Sequence, residues 1–167
     1  TMLTSDYGKI RAIAKGVRKS KSKMAGGIEL FSVSEIHFIK GRGDIDTLTS
    51  TRMIIHYDQT VKDFDKTDLA YEMLKTTDRV TEDTAGEEYF IVLNESLSAL
   101  SNKGISLELA RLSFYMRMLQ LLGHVPDFST DKNGKSLDPN DLYKFDQESM
   151  TFVAVDKGKF GKNHVKV

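Results

Sequence analysis

The sequence predicts an α+β protein in which a strand-forming N-terminal third precedes a helical middle and a turn-rich tail. Short segments up to Tyr57 alternate apolar and polar residues and are rich in β-branched side chains. Apolar residues then recur every three or four positions through the middle of the chain. From Pro126 onward, Asn-Gly and Asp-Pro turn signals surround two short strand-like segments.

The first third is expected to contain three strands, over residues 9–15, 28–39 and 48–57. The second strand is expected to be bulged and bent, because its alternation slips near Phe31–Ser34. Glycine-containing turns separate the three segments. Short, bent antiparallel strands joined by glycine turns are typical of a small β-barrel of the OB type.

The middle of the chain is expected to contain three helices, over about 69–80, 89–100 and 106–123. Thr67-Asp68 suits the start of the first helix, and Ala85-Gly86 separates it from the second. Ser106 is a plausible N-cap of the third helix and Gly123 a plausible residue just beyond its end. Because the third helix is so rich in apolar residues, we expect it to be buried on more than one side.

The tail, from about residue 125, is expected to hold the strands LYKF (142–145) and MTFVAV (150–155). Its Gly134-Lys135-Ser136 string lacks the upstream glycine of a phosphate-binding loop, since Ser129 occupies that position. The four histidines have no metal-ligand spacing, and the chain has no cysteine, so thiolate nucleophiles and cysteine-bound zinc are excluded. We therefore predict no enzymatic site, no cofactor and no metal.

The strongest functional signal is a basic block near the N-terminus of a chain whose net charge is zero. Residues 1–56 carry 10 Lys and Arg against 5 Asp and Glu, whereas residues 57–102 carry 4 against 11. Such asymmetry predicts a basic binding surface and an acidic region that faces elsewhere. Between Tyr7 and Lys23 the chain has no acidic residue, and its basic residues are Lys9, Arg11, Lys15, Arg18, Lys19, Lys21 and Lys23.

This basic block has two interpretations. Lysines on an edge strand can simply discourage aggregation between sheets. However, Lys9, Arg11 and Lys15 are expected on one strand face, followed by a Ser/Lys loop, and such side chains together contact phosphates. Nucleic-acid binding is therefore favoured, with Arg42 and Arg52 as extensions. The aromatic residues that could stack on bases are Tyr7, Phe31 and Phe38.

Several motifs, in order along almost the whole chain, resemble those of the RecO (recombination protein O) family of bacterial DNA repair proteins. Near the N-terminus these are LTxxYGK, AKGVRK, SxSK, GGxELF and GRGDxxTL, which together span residues 3–48. Further on they are RxxFYxRxLxxLGHxPDF (111–128) and SLDP (136–139). Each motif alone is weak, and their conserved order carries the resemblance.

The resemblance implies an N-terminal OB-fold, a helical domain and a small zinc-binding element. It also implies a recombination mediator that binds single- and double-stranded DNA, anneals strands and helps to load recombinase. The implied partners are RecR and the acidic C-terminal tail of single-stranded DNA-binding protein. Lys15, Arg18 and Lys19 match the motif linked with DNA contact, and Arg111 and Phe114 match the helix near which the tail docks.

The chain departs from the family pattern in three ways. Where many members have Cys-x-x-Cys-Gly, this chain has Thr130-x-x-Asn133-Gly134, and the second cysteine pair is missing too. We expect hydrogen bonds and packing, rather than zinc, to hold this turn. Compared with the family, the chain is also expected to lack the first strand of the barrel and the last helices.

We therefore expect an OB-type domain over 1–57, a helical domain over 58–124 and a metal-free remnant of the zinc element over 125–167. The expected function is DNA binding and strand annealing in recombinational repair, in the cytoplasm at the nucleoid and without a membrane partner. The alternative is a protein-interaction scaffold that holds RecR or the acidic tail without direct DNA contact. A metal-dependent enzyme acting on nucleic acid is a third possibility, for which the sequence offers no ligand cluster.

Overall fold

The structure, a computed structural model, describes residues 1–15, 24, 26–81, 86–161 and 164. The chain groups into two compact units, residues 1–118 and 119–167. The described strands are β1 (Met2–Thr4), β2 (Gly8–Ile10), β3 (Ala12–Ala14), β4 (Ser32–Ile39), β5 (Asp46–His56), β6 (Tyr143–Asp146) and β7 (Thr151–Ala154). The described helices are α1 (Asp58–Val61), α2 (Phe64–Val80), α3 (Glu87–Ser101) and α4 (Leu107–Leu121). The domain boundaries expected after residues 57 and 124 stay predictions.

The prediction of one continuous strand over 9–15 is wrong, because the chain changes its strand-pairing partner at Arg11. β2 pairs antiparallel with β1, a strand that the sequence analysis did not predict. β3 pairs with β5 in parallel, with Ala14 opposite Leu48, so the strands are not all antiparallel. At the break, the Asp46 amide donates a 2.8 Å hydrogen bond to the Arg11 carbonyl.

β4 and β5 form a long antiparallel pair whose register shifts twice, between Val33 and Ser34 and between His37 and Phe38. The first shift confirms the bulge predicted near Phe31–Ser34. The described strands of the first unit form a two-stranded sheet, β1-β2, and a three-stranded sheet in the order β3-β5-β4. The α+β class is confirmed, but hydrogen bonds among the described strands do not close a barrel.

Helices α3 and α4 begin where the sequence predicts, whereas α2 begins earlier. Gly86 caps α3, and the Ser106 hydroxyl accepts a hydrogen bond from the Leu109 amide at the start of α4. α2 begins after Asp63, whose carboxylate accepts from the Lys66 amide at 3.1 Å. The expected start at Thr67-Asp68 is therefore wrong, because those residues lie inside the helix. Among the described helices, none has the length and apolar character needed to span a membrane.

The core of the first unit lies between α2, α3 and α4. Its most deeply buried large side chains include Leu69, Met73, Leu100 and Phe114. α4 contributes only one buried stripe, because Leu109 and Leu112 on its other side are more than half exposed. The expectation that α4 is buried on more than one side is therefore wrong for the described residues.

Contacts among the described residues attach the strand region to the helices of the first unit. Phe31 packs edge-on against Tyr71 of α2, with 5.0 Å between ring centroids. The buried Tyr57 donates its hydroxyl hydrogen bond to the Asn94 side chain of α3, and burial raises the pKa of this tyrosine. Lys9 of β2 donates to the Asp78 carbonyl near the C-terminal end of α2, where carbonyls lack helical partners.

The second unit is a hairpin, β6-β7, with an aromatic cluster on one face. Leu137, Tyr143 and Phe152 are its buried residues, and Phe145 and Phe160 pack against them. The two strands agree closely with the predicted segments LYKF and MTFVAV. The rings of Phe145 and Phe160 lie edge-on to Phe152, at 5.4 and 5.3 Å between centroids.

The corrected start of α2 gives a stability prediction. Substitution Asp63→Ala removes the N-cap acceptor, and we expect it to lower the free energy of unfolding by about 1 kcal/mol. The matched control is Asp68→Ala, an exposed position inside the helix, which we expect to change stability by less than about 0.5 kcal/mol. Urea denaturation followed by far-UV circular dichroism measures both. A larger loss for Asp68→Ala than for Asp63→Ala would contradict the assigned start.

Candidate nucleic-acid interface

A tight turn between β1 and β2 presents Tyr7 at the surface. The Thr4 hydroxyl donates to the Gly8 carbonyl at 2.9 Å and accepts from the Tyr7 amide at 3.0 Å. Gly8 has a φ of +67°, a conformation that glycine adopts at no steric cost. A single threonine side chain therefore fixes both ends of the turn, and Tyr7 is held on it 59% exposed.

Beside this turn lies a groove with a volume of about 250 Å³. Tyr7 and Phe38 form an edge-to-face pair in its wall, with 5.4 Å between ring centroids. The glycine loop between β4 and β5 contributes Gly41 and Gly43. Phe31, the third aromatic residue considered from the sequence, is buried and packs on Tyr71 instead. The structure thus brings together two of the three aromatic candidates.

The groove is lined by three basic and two acidic side chains, namely Lys9, Arg11, Lys40, Asp44 and Asp46. The Lys9 side chain is only 11% exposed and forms a 3.0 Å ion pair with Asp78. The Asp46 carboxylate accepts a 3.0 Å hydrogen bond from the Gly41 amide and so shapes the loop. Lys40 was not among the predicted site residues. Its place in a basic glycine turn was visible in the sequence, but its proximity to Tyr7 was not.

The remaining basic candidates have different surroundings. Lys15 and Arg42 are exposed. Arg52 is held by Glu35 on the neighbouring strand, through its Nε at 2.8 Å and its Nη2 at 2.6 Å. Four predicted DNA-binding residues lie outside the described residues: Arg18, Lys19, Lys21 and Lys23.

The two residues matched to tail binding differ in accessibility. Phe114 is fully buried in the helical core, so its ring has no surface for a partner. Arg111 is half-exposed on α4, where its Nη1 is 2.5 Å from Glu72 Oε2 of α2. The same carboxylate accepts from the Tyr115 hydroxyl, and this hydrogen bond raises the pKa of Tyr115. Leu109 and Leu112, one helical turn apart on α4, are exposed and were not predicted as surface residues.

The turn around Thr130 and Asn133 is held by carboxylates. Asp127 accepts hydrogen bonds from the amides and hydroxyls of Ser129 and Thr130, and these bonds hold its pKa well below its usual range. Asp131 accepts from the amides of Asn133 and Lys135, both within 2.9 Å. The prediction that hydrogen bonds hold this turn is confirmed.

The donor set of this turn does not fit zinc. Thr130 and Asn133 occupy the positions where thiolates would stand, and neither side chain is a good zinc ligand. The Thr130 hydroxyl is also engaged by Asp127. Over the part of the chain that the structure describes, His, Asp and Glu side chains form no group of three that could hold a metal ion.

The fold and the groove define the class: an α+β protein whose N-terminal strands carry a groove lined by aromatic, basic and acidic side chains. Residues 1–57 match the family described as Recombination protein O N terminal, and residues 61–164 match Recombination protein O C terminal. The chain belongs to the RecO family.

Curated relatives support this assignment and are longer than the chain. The chain is 32% identical over 133 residues to DNA repair protein RecO of Bifidobacterium longum subsp. infantis, covering 78% of this chain and 55% of the relative. It is 33% identical over 129 residues to DNA repair protein RecO of Desulfatibacillum aliphaticivorans, covering 75% and 50%. The chain thus spans about half the length of the curated relatives it matches.

The second unit offers a pH-dependent prediction at Asp146. The Ser149 hydroxyl, at 2.7 Å, and the Lys132 ammonium, at 3.1 Å, lower the pKa of Asp146 from its ordinary 3.8 to about 2. Because the folded pKa is depressed, the stability contributed by this carboxylate is present above pH 3.8 and is lost as the pH falls towards 2.

Carboxyl-carbon NMR titration of the full chain checks this prediction. We expect the Asp146 midpoint at about 2 in the wild type. Ser149→Ala should raise this midpoint more than Lys132→Met does, because the hydroxyl is the larger cause of the shift. A wild-type midpoint near 3.8 would show that these two groups do not stabilise the carboxylate.

Proposed function

We propose that the chain acts in DNA repair as a recombination mediator that binds single- and double-stranded DNA through its basic N-terminal region. The observation that carries the proposal is the groove lined by the aromatic residues Tyr7 and Phe38 together with Lys9, Arg11 and Lys40. Membership of the RecO family, whose matched relatives are named DNA repair proteins, supports the proposed role in DNA repair. Strand annealing and recombinase loading are the activities proposed for this binding.

The proposed mechanism is electrostatic. Two nucleic-acid strands repel each other through their phosphates, and basic side chains that contact both backbones reduce this repulsion. Watson–Crick pairing between the strands then supplies the sequence specificity. Such a mechanism requires positions for cations and a surface for bases, and it needs neither a nucleophile nor a metal.

The basic residues are proposed to have two roles, phosphate contact and positioning of the strands. Lys15 and Arg42 are exposed and suited to phosphate contact, as the sequence motif suggests for Arg18, Lys19, Lys21 and Lys23. Lys9 and Arg52 are engaged by Asp78 and Glu35, so their proposed role is to position the strands that carry the other residues. The chain is proposed to work in the cytoplasm, at the nucleoid.

Charge reversal tests the proposal. We expect the triple variant Lys15→Glu, Arg18→Glu, Lys19→Glu to weaken binding of a labelled oligonucleotide, measured by fluorescence anisotropy over a salt series. The wild-type log–log slope should correspond to about −0.7 per phosphate contact on single strands, and the variant slope should be shallower by about 2.

The matched control reverses three exposed lysines that do not line the groove, Lys75, Lys103 and Lys135. Both triple variants change the net charge by the same amount, so a difference between them reports where the charges lie and not how many there are. Equal losses in the two triple variants would mean that net charge alone drives binding. Wild-type protein that is folded yet does not bind at low salt would overturn the DNA-binding proposal.

A second function, protein docking, is favoured by one observation on α4. Leu109 and Leu112, one helical turn apart, are 56% and 59% exposed, and the half-exposed Arg111 lies on the side of α4 next to Leu112. An arginine beside apolar surface suits an acidic peptide that ends in an aromatic residue. The C-terminal tail of single-stranded DNA-binding protein is the partner proposed for this surface, and RecR is a further proposed partner. Phe114 supports the surface from beneath.

Polar substitution separates the two functions. We expect Leu109→Ser with Leu112→Ser to weaken binding of a labelled acidic tail peptide by about 10-fold, equivalent to about 1.4 kcal/mol, while oligonucleotide affinity stays within about 2-fold. The control is Val61→Ser, an exposed apolar residue of α1. Loss of oligonucleotide binding in the leucine variant, with peptide binding intact, would reverse the assignment of the two surfaces.

A further inference from the structure

We infer that the groove beside Tyr7 is a stacking subsite for one unpaired base and makes the chain prefer single strands over duplex. This inference rests on the proposed function, because it names the substrate form that the groove selects. A positively charged groove with aromatic side chains is how many proteins hold single strands without reading their sequence.

Tyr7 provides the stacking surface. Its edge-to-face contact with Phe38 leaves it 59% exposed at the wall of the groove. Phe38 is half-buried, and its neighbour on the adjacent strand is the buried Leu48. The pair therefore consists of an anchored ring and an accessible ring. A base in duplex DNA already stacks on its neighbours, whereas an unpaired base has a free face for Tyr7.

The turn that carries Tyr7 favours this role. The Thr4 hydroxyl bonds to the Tyr7 amide and to the Gly8 carbonyl, so the backbone on both sides of the ring is fixed before a ligand arrives. A group that is already ordered loses less conformational entropy on binding. The groove volume of about 250 Å³ lies below the range of about 300–1,000 Å³ for sites that enclose a drug-sized ligand, so the groove has room for the base of a nucleotide and not for the whole nucleotide.

The charges of the groove show why stacking, rather than phosphate attraction, sets the preference. Its three cations face the carboxylates of Asp44 and Asp46, and Lys9 is further paired with Asp78. The local excess of positive charge is therefore small. Lys40, an exposed residue of the groove lining, is assigned to the phosphate of a nucleotide whose base lies on Tyr7. The basic block contributes affinity to both DNA forms, and the ring distinguishes between them.

Two substitutions of Tyr7 test the inference in the full chain. We expect Tyr7→Ala to weaken binding of a single-stranded oligothymidine by about 5- to 100-fold, the range found when a stacking ring is truncated. Binding of a blunt duplex of equal length should change by less than about 2-fold. Tyr7→Phe keeps the ring and should bind both forms like the wild type. The control Phe64→Ala removes an aromatic side chain that is 85% exposed at the start of α2, and it should change neither affinity.

An oligonucleotide with abasic sites provides the matching change in the ligand. It keeps the phosphates and lacks bases. Its affinity for the wild type should therefore equal the affinity of the intact strand for Tyr7→Ala. Its affinity for Tyr7→Ala should be the same as for the wild type, because there is no base left to stack. Equal single-strand affinity for wild type and Tyr7→Ala would overturn the stacking subsite and leave the proposed DNA binding standing. Folded wild type that binds neither form would overturn both. A loss in Tyr7→Phe equal to that in Tyr7→Ala would also overturn the inference, because it would assign the effect to the hydroxyl.

Discussion

The hydrogen bond from the Asp46 amide to the Arg11 carbonyl decides how the N-terminal strands are shared between two sheets. On the N-terminal side of Arg11 the chain pairs with β1, and on its C-terminal side the chain pairs with β5. The change of partner leaves Lys9 free to reach α2, and it places the turn carrying Tyr7 beside the glycine loop that precedes β5. The groove exists because these two loops meet at the break. A continuous strand over 9–15 would have aligned its basic side chains without forming a groove.

Part of the acidic charge in the middle of the chain is paired with arginines of α4. Glu72 of α2 bonds to Arg111 and Tyr115 of α4, and Glu95 of α3 bonds to Arg117. Exposed ion pairs of this kind stabilise proteins by about 0–1 kcal/mol, so burial of residues such as Phe114 holds the helices together. The main effect of these ion pairs is that the carboxylates are neutralised by arginines on the helices. Repulsion between these carboxylates and a nucleic acid on the basic N-terminal region is thereby reduced.

Features that depend on neighbouring residues were predictable from the sequence, and features that depend on distant ones were not. Ser106 caps α4 and Gly123 adopts a φ of +76° just after it, because capping is a local property. The bulge near Ser34 was likewise visible as a slip in the alternation. The break at Arg11 depends on Asp46, and the exposure of Leu112 depends on which helices pack against α4. The aromatic residues could be named as candidates, but only the fold separates the exposed Tyr7 from buried Phe31.

The second unit shows how a turn can be specified without thiolates. A structural zinc ion makes folding depend on metal and on ligand deprotonation. Here Asp127 and Asp131 accept the hydrogen bonds that close the turn, and the Lys132 amide bonds to the Phe152 carbonyl of β7 at 2.8 Å. The depressed pKa values of Asp127 and Asp146 mean that these carboxylates stay ionised until the solution is strongly acidic. Protonation of these two carboxylates therefore weakens the turn only at low pH, and the aromatic cluster around Phe152 supplies the apolar burial that the hydrogen bonds do not.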